Sequence, residues 1–98
     1  MTETFTYRLS PLAEADLEHI WSYTAGRWSP SQAEIYHDGI IAALEALAKG
    51  RRRGRPVAFR PGYLKLSVGA HLVFYRQTKT GIDVIRFLHQ RMDVESHL

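Results

Sequence analysis

The chain has 98 residues, 45% of them apolar and 23% charged, the ordinary balance of one soluble globular domain spanning residues 1–98. With no cysteine there is neither a disulfide framework nor a thiolate zinc site, which suits a cytoplasmic setting. No apolar run approaches the ~20 residues that cross a bilayer, and the start of the chain has no signal-peptide pattern, so no membrane association is expected. The net charge of +3 hides a marked asymmetry. Residues 1–45 carry seven acids and two bases, whereas residues 46–82 carry nine bases and no acid. Such a basic stretch suits an acidic protein segment or a nucleic acid.

Phe5, Tyr7 and Leu9 alternate with Thr6 and Arg8, the period of a half-buried strand. Ser10 followed by Pro11 predicts a helix start, with serine as N-cap and proline at the first helical position. Ala13, Leu17, Ile20 and Trp21 recur at helical spacing to about Arg27, and Trp28 resumes the stripe at the turn. Ser29-Pro30-Ser31-Gln32 predicts a second start with a capping box. Ala33, Tyr36, Ile40, Leu44 and Leu47 share one face of that helix, and Gly50 ends it. The two helices are expected to form an antiparallel hairpin.

Residues 51–62 hold two prolines, two glycines and five arginines, which predicts a solvated connector without lasting regular structure. Three strands follow, over Tyr63–Val68, His71–Thr78 and Ile82–His89, with Gly69-Ala70 and Thr80-Gly81 as turns too short for anything but antiparallel neighbours. The tail from Met92 to Leu98 has room for one or two helical turns. The fold class is therefore α+β, an N-terminal strand and a helical hairpin packed on an antiparallel sheet with a C-terminal three-strand meander, the hairpin being the only cover in view for the sheet.

This order of elements resembles the RelE/ParE toxin superfamily, and the local strings resemble its ParE branch. Tyr7 to Leu17 is similar to the family's opening strand and helix, and Ile20-Trp21-Ser22-Tyr23-Thr24 to the next piece of that helix. Gly62 to Arg76 is similar to the ParE central hairpin, and Val84 to Asp93 to its last strand and tail. The resemblance implies a non-enzymatic toxin of a type II toxin–antitoxin module that inhibits DNA gyrase. It implies a ParD-like antitoxin as partner, with operator DNA reached only indirectly through that antitoxin. The alternative within the superfamily is a ribosome-dependent messenger RNA endonuclease of the RelE type. In those relatives lysines on the helix and the first meander strand, an arginine opening the second strand and a tyrosine or histidine near the C-terminus look responsible for the chemistry. Here Leu64 and Leu66 fall where the strand lysines would be, and His71 where the arginine would be.

Several residues are candidates for contact with partners. Arg86 is the odd charge in an apolar strand, expected either to contact the target or to pair with Asp93 or an acid of the first helix. With His89, Gln90, Arg91 and Asp93 it makes up the expected target-binding set. Trp21, Trp28 and Tyr36, on the side of the hairpin left open, and Arg51, Arg52, Arg53 and Arg55 make up the expected antitoxin-binding set. His71 and His89 also have a plain structural reading, as packed rings at strand ends. No two of the five histidines have the i, i+4 spacing of a helical zinc site, and neither metal nor cofactor is expected.

Overall fold

The computed structural model describes residues 5–98, so residues 1–4 of the single-domain expectation lie outside the described residues. The elements are β1 (Thr6–Leu9), α1 (Pro11–Arg27), α2 (Pro30–Ala48), β2 (Arg55–Pro56), β3 (Leu64–Val68), β4 (His71–Thr78), β5 (Gly81–His89) and α3 (Val94–His97). One five-stranded sheet runs in the order β1-β5-β4-β3-β2. The meander is antiparallel as expected, and β1 adds to its edge parallel to β5, Thr6 opposite Gly81 and Leu9 opposite Val84.

Both helix starts are made by the predicted serines. Ser10 Oγ accepts the Ala13 N–H at 3.0 Å, and Ser29 Oγ accepts the Gln32 N–H at 3.1 Å. Gly50, at φ 76°, follows the α2 C-cap in the left-handed conformation that glycine adopts without steric cost. The α1 stripe is narrower than its spacing suggests. Ala13, Leu17 and Ile20 are buried, but Trp21 and Trp28 are 39% and 71% exposed. On α2, Ala33, Ile40, Ala43, Leu44, Leu47 and Ala48 are buried. These helix faces meet Leu64, Val73, Tyr75, Ile82, Val84 and Phe87 of the sheet in the main core.

The connector departs from expectation. Arg55 and Pro56 pair with Lys65 and Leu64 as a short edge strand, and Val57 is only 3% exposed. The reason is a second apolar cluster built on the alternate residues of the strands. Phe74 and Leu88 carry it, with Val57, Tyr63, Leu72, Val94 and Leu98 packed around them. The hairpin is thus not the only cover of the sheet. The connector and the tail supply a smaller second one, because strands with apolar residues at successive positions cannot leave either set in water.

Candidate functional site

Strand β1 accompanies β5 only as far as Val84, which leaves the rest of that β5 edge without a strand neighbour. Helix α1 takes over the pairing with side chains. Ser10 donates its N–H to the Val84 carbonyl at 3.0 Å and its hydroxyl to the Ile85 carbonyl at 2.7 Å. One turn and a half further along, Asp16 Oδ2 accepts the Phe87 N–H at 3.1 Å. The register of β4 and β5 slips between these points, where Phe74 faces Arg86 but Tyr75 faces Val84. Backbone groups freed at such a bulge need partners when they are buried, and Ser10 and Asp16 provide them.

Asp16 also holds Arg86. The guanidinium donates through Nε to Oδ2 at 2.7 Å and through Nη2 to Oδ1 at 2.9 Å, a two-pronged pair in which each side chain is 16% exposed. The hydrogen bonds that Arg86 donates to Asp16 raise its pKa still further, so the charge is fixed. A third donor, Nη1, reaches the His97 carbonyl at 3.1 Å and ties the tail to the sheet. Of the two partners expected for an ion-paired Arg86, the helix-one acid is the one that binds it. Asp93 instead accepts the Ser96 hydroxyl at 2.7 Å.

Beside this pair lies a small aromatic chain. The Tyr36 hydroxyl accepts the Ala70 N–H at 2.9 Å and meets His71 Nδ1 at 2.7 Å, with the Val68 carbonyl at 3.3 Å. The His71 ring packs edge-on against His89, centroids 5.3 Å apart. His89 Nδ1 in turn accepts the Arg91 N–H at 3.1 Å. Burial, and secondly His89, push the His71 pKa below its ordinary value, while Asp16 pulls weakly the other way. Asp16, Arg86, His71 and His89 line one groove of about 320 Å³, whose apolar wall includes Ile20, Phe87 and Met92.

The structure therefore brings Arg86 and His89 of the expected target set together. Gln90, Arg91 and Asp93 are exposed on the segment leading to α3 and do not line the groove. The expected antitoxin set is divided among four places. Trp21 lines a groove of about 470 Å³ along α1 with Leu9, Glu14, Leu17, Glu18 and His37. Arg52, Arg53 and Arg55 line another of about 270 Å³ with Lys65 and Leu72, while Arg51 is exposed nearby in the chain. Trp28 stands in solvent with the Arg27 guanidinium 5.7 Å from its ring centre. Tyr36 is set apart from both tryptophans: it is half-buried, its hydroxyl is fully engaged, and its ring fills the space a side chain at Gly69 would need. Among the described residues no group of three or more acids and histidines is placed to hold a metal ion, and no helix is long and apolar enough to cross a membrane.

Residues 7–94 match the family described as ParE toxin of type II toxin–antitoxin system, parDE. This chain belongs to that ParE toxin family. It is 51% identical over 94 residues to Toxin ParE1 of Mycobacterium tuberculosis, an alignment that takes in 94% of this chain and 96% of the relative. With Toxin ParE1 of Caulobacter vibrioides it shares 41% identity over 93 residues, with the same shares of the two chains covered. Among solved structures it is similar to the chromosomal ParDE toxin–antitoxin system of P. aeruginosa, at a TM-score of 0.75 and 20% identity over 90% of this chain and 98% of that one. It is also similar to the RelBE2 toxin–antitoxin complex of Mycobacterium tuberculosis, at a TM-score of 0.59 and 19% identity over 94% and 98% of the two chains. These two likenesses carry the fold.

In this ParE-family toxin the helix-one acid that binds Arg86 is Asp16, one of three acids on α1. Asp16 lies at i+3 from Ala13 and i−4 from Ile20, so it is a carboxylate inside an apolar stripe. A lone acid in the helix stripe and a lone base in a core strand are complementary oddities, and that pairing is the signal that finds them.

Proposed function

We propose that this chain is a toxin that acts by binding rather than by catalysis: it inhibits DNA gyrase in the cytoplasm, without metal or cofactor, and a ParD-like antitoxin silences it. Membership of the ParE family supports the gyrase target, and the likeness to toxin–antitoxin complexes supports the antitoxin partner. Operator DNA is then met only through the antitoxin. The observation that carries the non-catalytic reading is the state of Arg86. Cleavage of an RNA phosphate needs cations free to meet developing charge, and this arginine is already held by Asp16 and by the His97 carbonyl. Leu64 and Leu66, standing where strand lysines of the nucleases would be, pack with the core under the hairpin.

In this reading the target meets the end of the sheet around His89 and the exposed run Gln90, Arg91 and Asp93, with Arg86 as the positioning residue that fixes the tail. The antitoxin meets the open side of α1 at Trp21 and Trp28 and the basic edge at Arg51, Arg52, Arg53 and Arg55, with Tyr36 supporting the fold beneath. The test sets a gyrase supercoiling and cleavage assay beside a ribosome-dependent messenger RNA cleavage assay. Loss of supercoiling with intact message is the expected result. Codon-dependent cleavage with unaffected gyrase would replace the proposal by the RelE-type nuclease, whose proton carriers would be His71 and His89.

A further inference from the structure

The histidine edge of the groove has a ligand chemistry of its own, and the hydrogen-bond network decides which. His89 Nδ1 accepts the Arg91 N–H, so in the neutral ring the proton sits on Nε2. The Tyr36 hydroxyl accepts from Ala70, and the nearer of the two acceptors within reach of its single proton is His71 Nδ1 at 2.7 Å, ahead of the Val68 carbonyl at 3.3 Å. With His71 accepting that proton, its ring too is the Nε2–H tautomer. In these tautomers neither ring has a lone pair left for a metal or a cation. Each carries one N–H donor with no protein partner among the described hydrogen bonds, in a groove whose remaining wall is mostly apolar.

The groove's charges lead to the same ligand class. Asp16 faces His71 from α1 but is neutralised by Arg86, with a further bond from the Phe87 N–H. His19 and Tyr23 from α1, Tyr36 from α2 and His89 from β5 are the other titratable groups around His71 and its groove. Charge added to this setting by protonation is positive, and an incoming anion would face no unpaired carboxylate.

We propose that this groove binds a segment of the target protein in which a carboxylate stands beside an apolar residue, the carboxylate taking the Nε2–H of His71 and His89 and the apolar side chain resting on Ile20, Phe87 and Met92. The proposal rests on the reading that the target meets this end of the sheet, and it adds the chemistry by which the target is recognised. Because a bound carboxylate favours the imidazolium form of His71, binding takes up protons and tightens as pH falls.

The test uses the whole toxin with 15N-labelled histidine and two probes that differ only in charge, N-acetyl-Leu-Glu-amide and N-acetyl-Leu-Gln-amide, titrated by NMR at pH 7.5 and 6.0. Expected are Nε2–H tautomers for both rings and shifts of His71, His89 and the Met92 methyl with the glutamate peptide. The glutamine peptide should bind at least fivefold more weakly, and only the glutamate peptide should gain affinity at pH 6.0. His71→Asn with His89→Asn keeps an acceptor where each Nδ1 stood and removes both N–H donors, so it should lose the preference for glutamate. Equal binding of the two peptides, a lone pair at Nε2 of either ring in the free protein, or undiminished glutamate binding by the double variant would each overturn the assignment. The supercoiling assay on the unaltered toxin stands apart from this. If it shows no inhibition, gyrase is removed as the target, while the carboxylate chemistry still stands or falls on the titration.

Discussion

Asp16 and Arg86, seventy residues apart in the chain, form a two-pronged ion pair at 2.7 and 2.9 Å, and the same carboxylate accepts the N–H of the next residue, Phe87. One side chain therefore fixes the end of the sheet against α1 and, through the Arg86 bond to His97, fixes the tail. Removing one member of a largely buried pair leaves the other uncompensated. We expect Asp16→Asn or Arg86→Met alone to cost about 2–4 kcal/mol, and the double variant clearly less than their sum. Urea denaturation of the four proteins measures the coupling. Strict additivity would mean the pair contributes nothing as a pair.

The second expectation concerns the tail. Deleting the chain from His89 onward removes Val94 and Leu98 from the second cluster and exposes Phe74 and Leu88, so that truncation should lower stability as well as activity. Gln90→Ala with Arg91→Ala leaves both clusters intact, since the two side chains are exposed. That double variant should weaken gyrase inhibition about tenfold or more with an unchanged melting temperature and unchanged antitoxin affinity. Full inhibition by a folded variant would place the target contact elsewhere.

His71 gives stability a definite dependence on pH. Its folded pKa lies below the ordinary value of 6.5, so below that pH the unfolded chain binds more protons than the folded one. The contribution is fully present above pH 6.5 and is lost as pH falls through the depressed folded value. Thermal melts between pH 7.5 and 5.0 should show this decline, and His71→Asn should flatten it. Equal slopes in the two proteins would deny His71 the role.

Two glycines are fixed by close approach of backbone. A Cβ at Gly81, where φ is 143°, would overlap the Thr6 backbone, and one at Gly54 would overlap the Lys65 carbonyl and crowd the Tyr75 hydroxyl that the Gly54 N–H bonds at 2.7 Å. Gly81→Ala should loosen β1 from β5, and Gly54→Ala should displace the connector, each costing about 1–3 kcal/mol. Hydrogen exchange would separate them: faster exchange of β1 amides in the first, and of Val57 and β3 in the second.

The basic edge should govern how fast the antitoxin arrives. Among the described residues none of the nine bases between 46 and 82 forms a salt bridge, so their field is open to solvent. Neutralising Arg51, Arg52, Arg53 and Arg55 should cut the association rate on the order of tenfold at low salt and flatten its salt dependence. Replacing the exposed Trp21 and Trp28 by alanine should chiefly raise the dissociation rate. Stopped-flow binding across a salt series checks both. An association rate indifferent to salt and to the arginines would end the steering account.

Local chemistry settled most of the elements. The Ser10-Pro11 and Ser29-Pro30 starts, the Gly50 stop and the alternation in β1 and β3 are each written within a few neighbouring residues, because caps, turns and periodicity are short-range interactions. The oddity of Arg86 was legible for the same reason. What covers each face of the sheet was not. The connector reads as polar and broken, yet Val57 is buried, because Phe74 and Leu88 present apolar surface on the side away from the hairpin and only the folded sheet creates that surface. The parallel docking of β1, the bulge at Phe74/Tyr75 and the choice of Asp16 over Asp93 as the partner of Arg86 join residues far apart in sequence. The tautomers of His71 and His89 depend on Tyr36, Ala70 and Arg91 arriving at bonding distance. Sequence alone set the helices, the meander and the family resemblance. The site is set by which distant groups the closed sheet brings within three ångströms or so of one another, a matter of long-range geometry that no local pattern encodes.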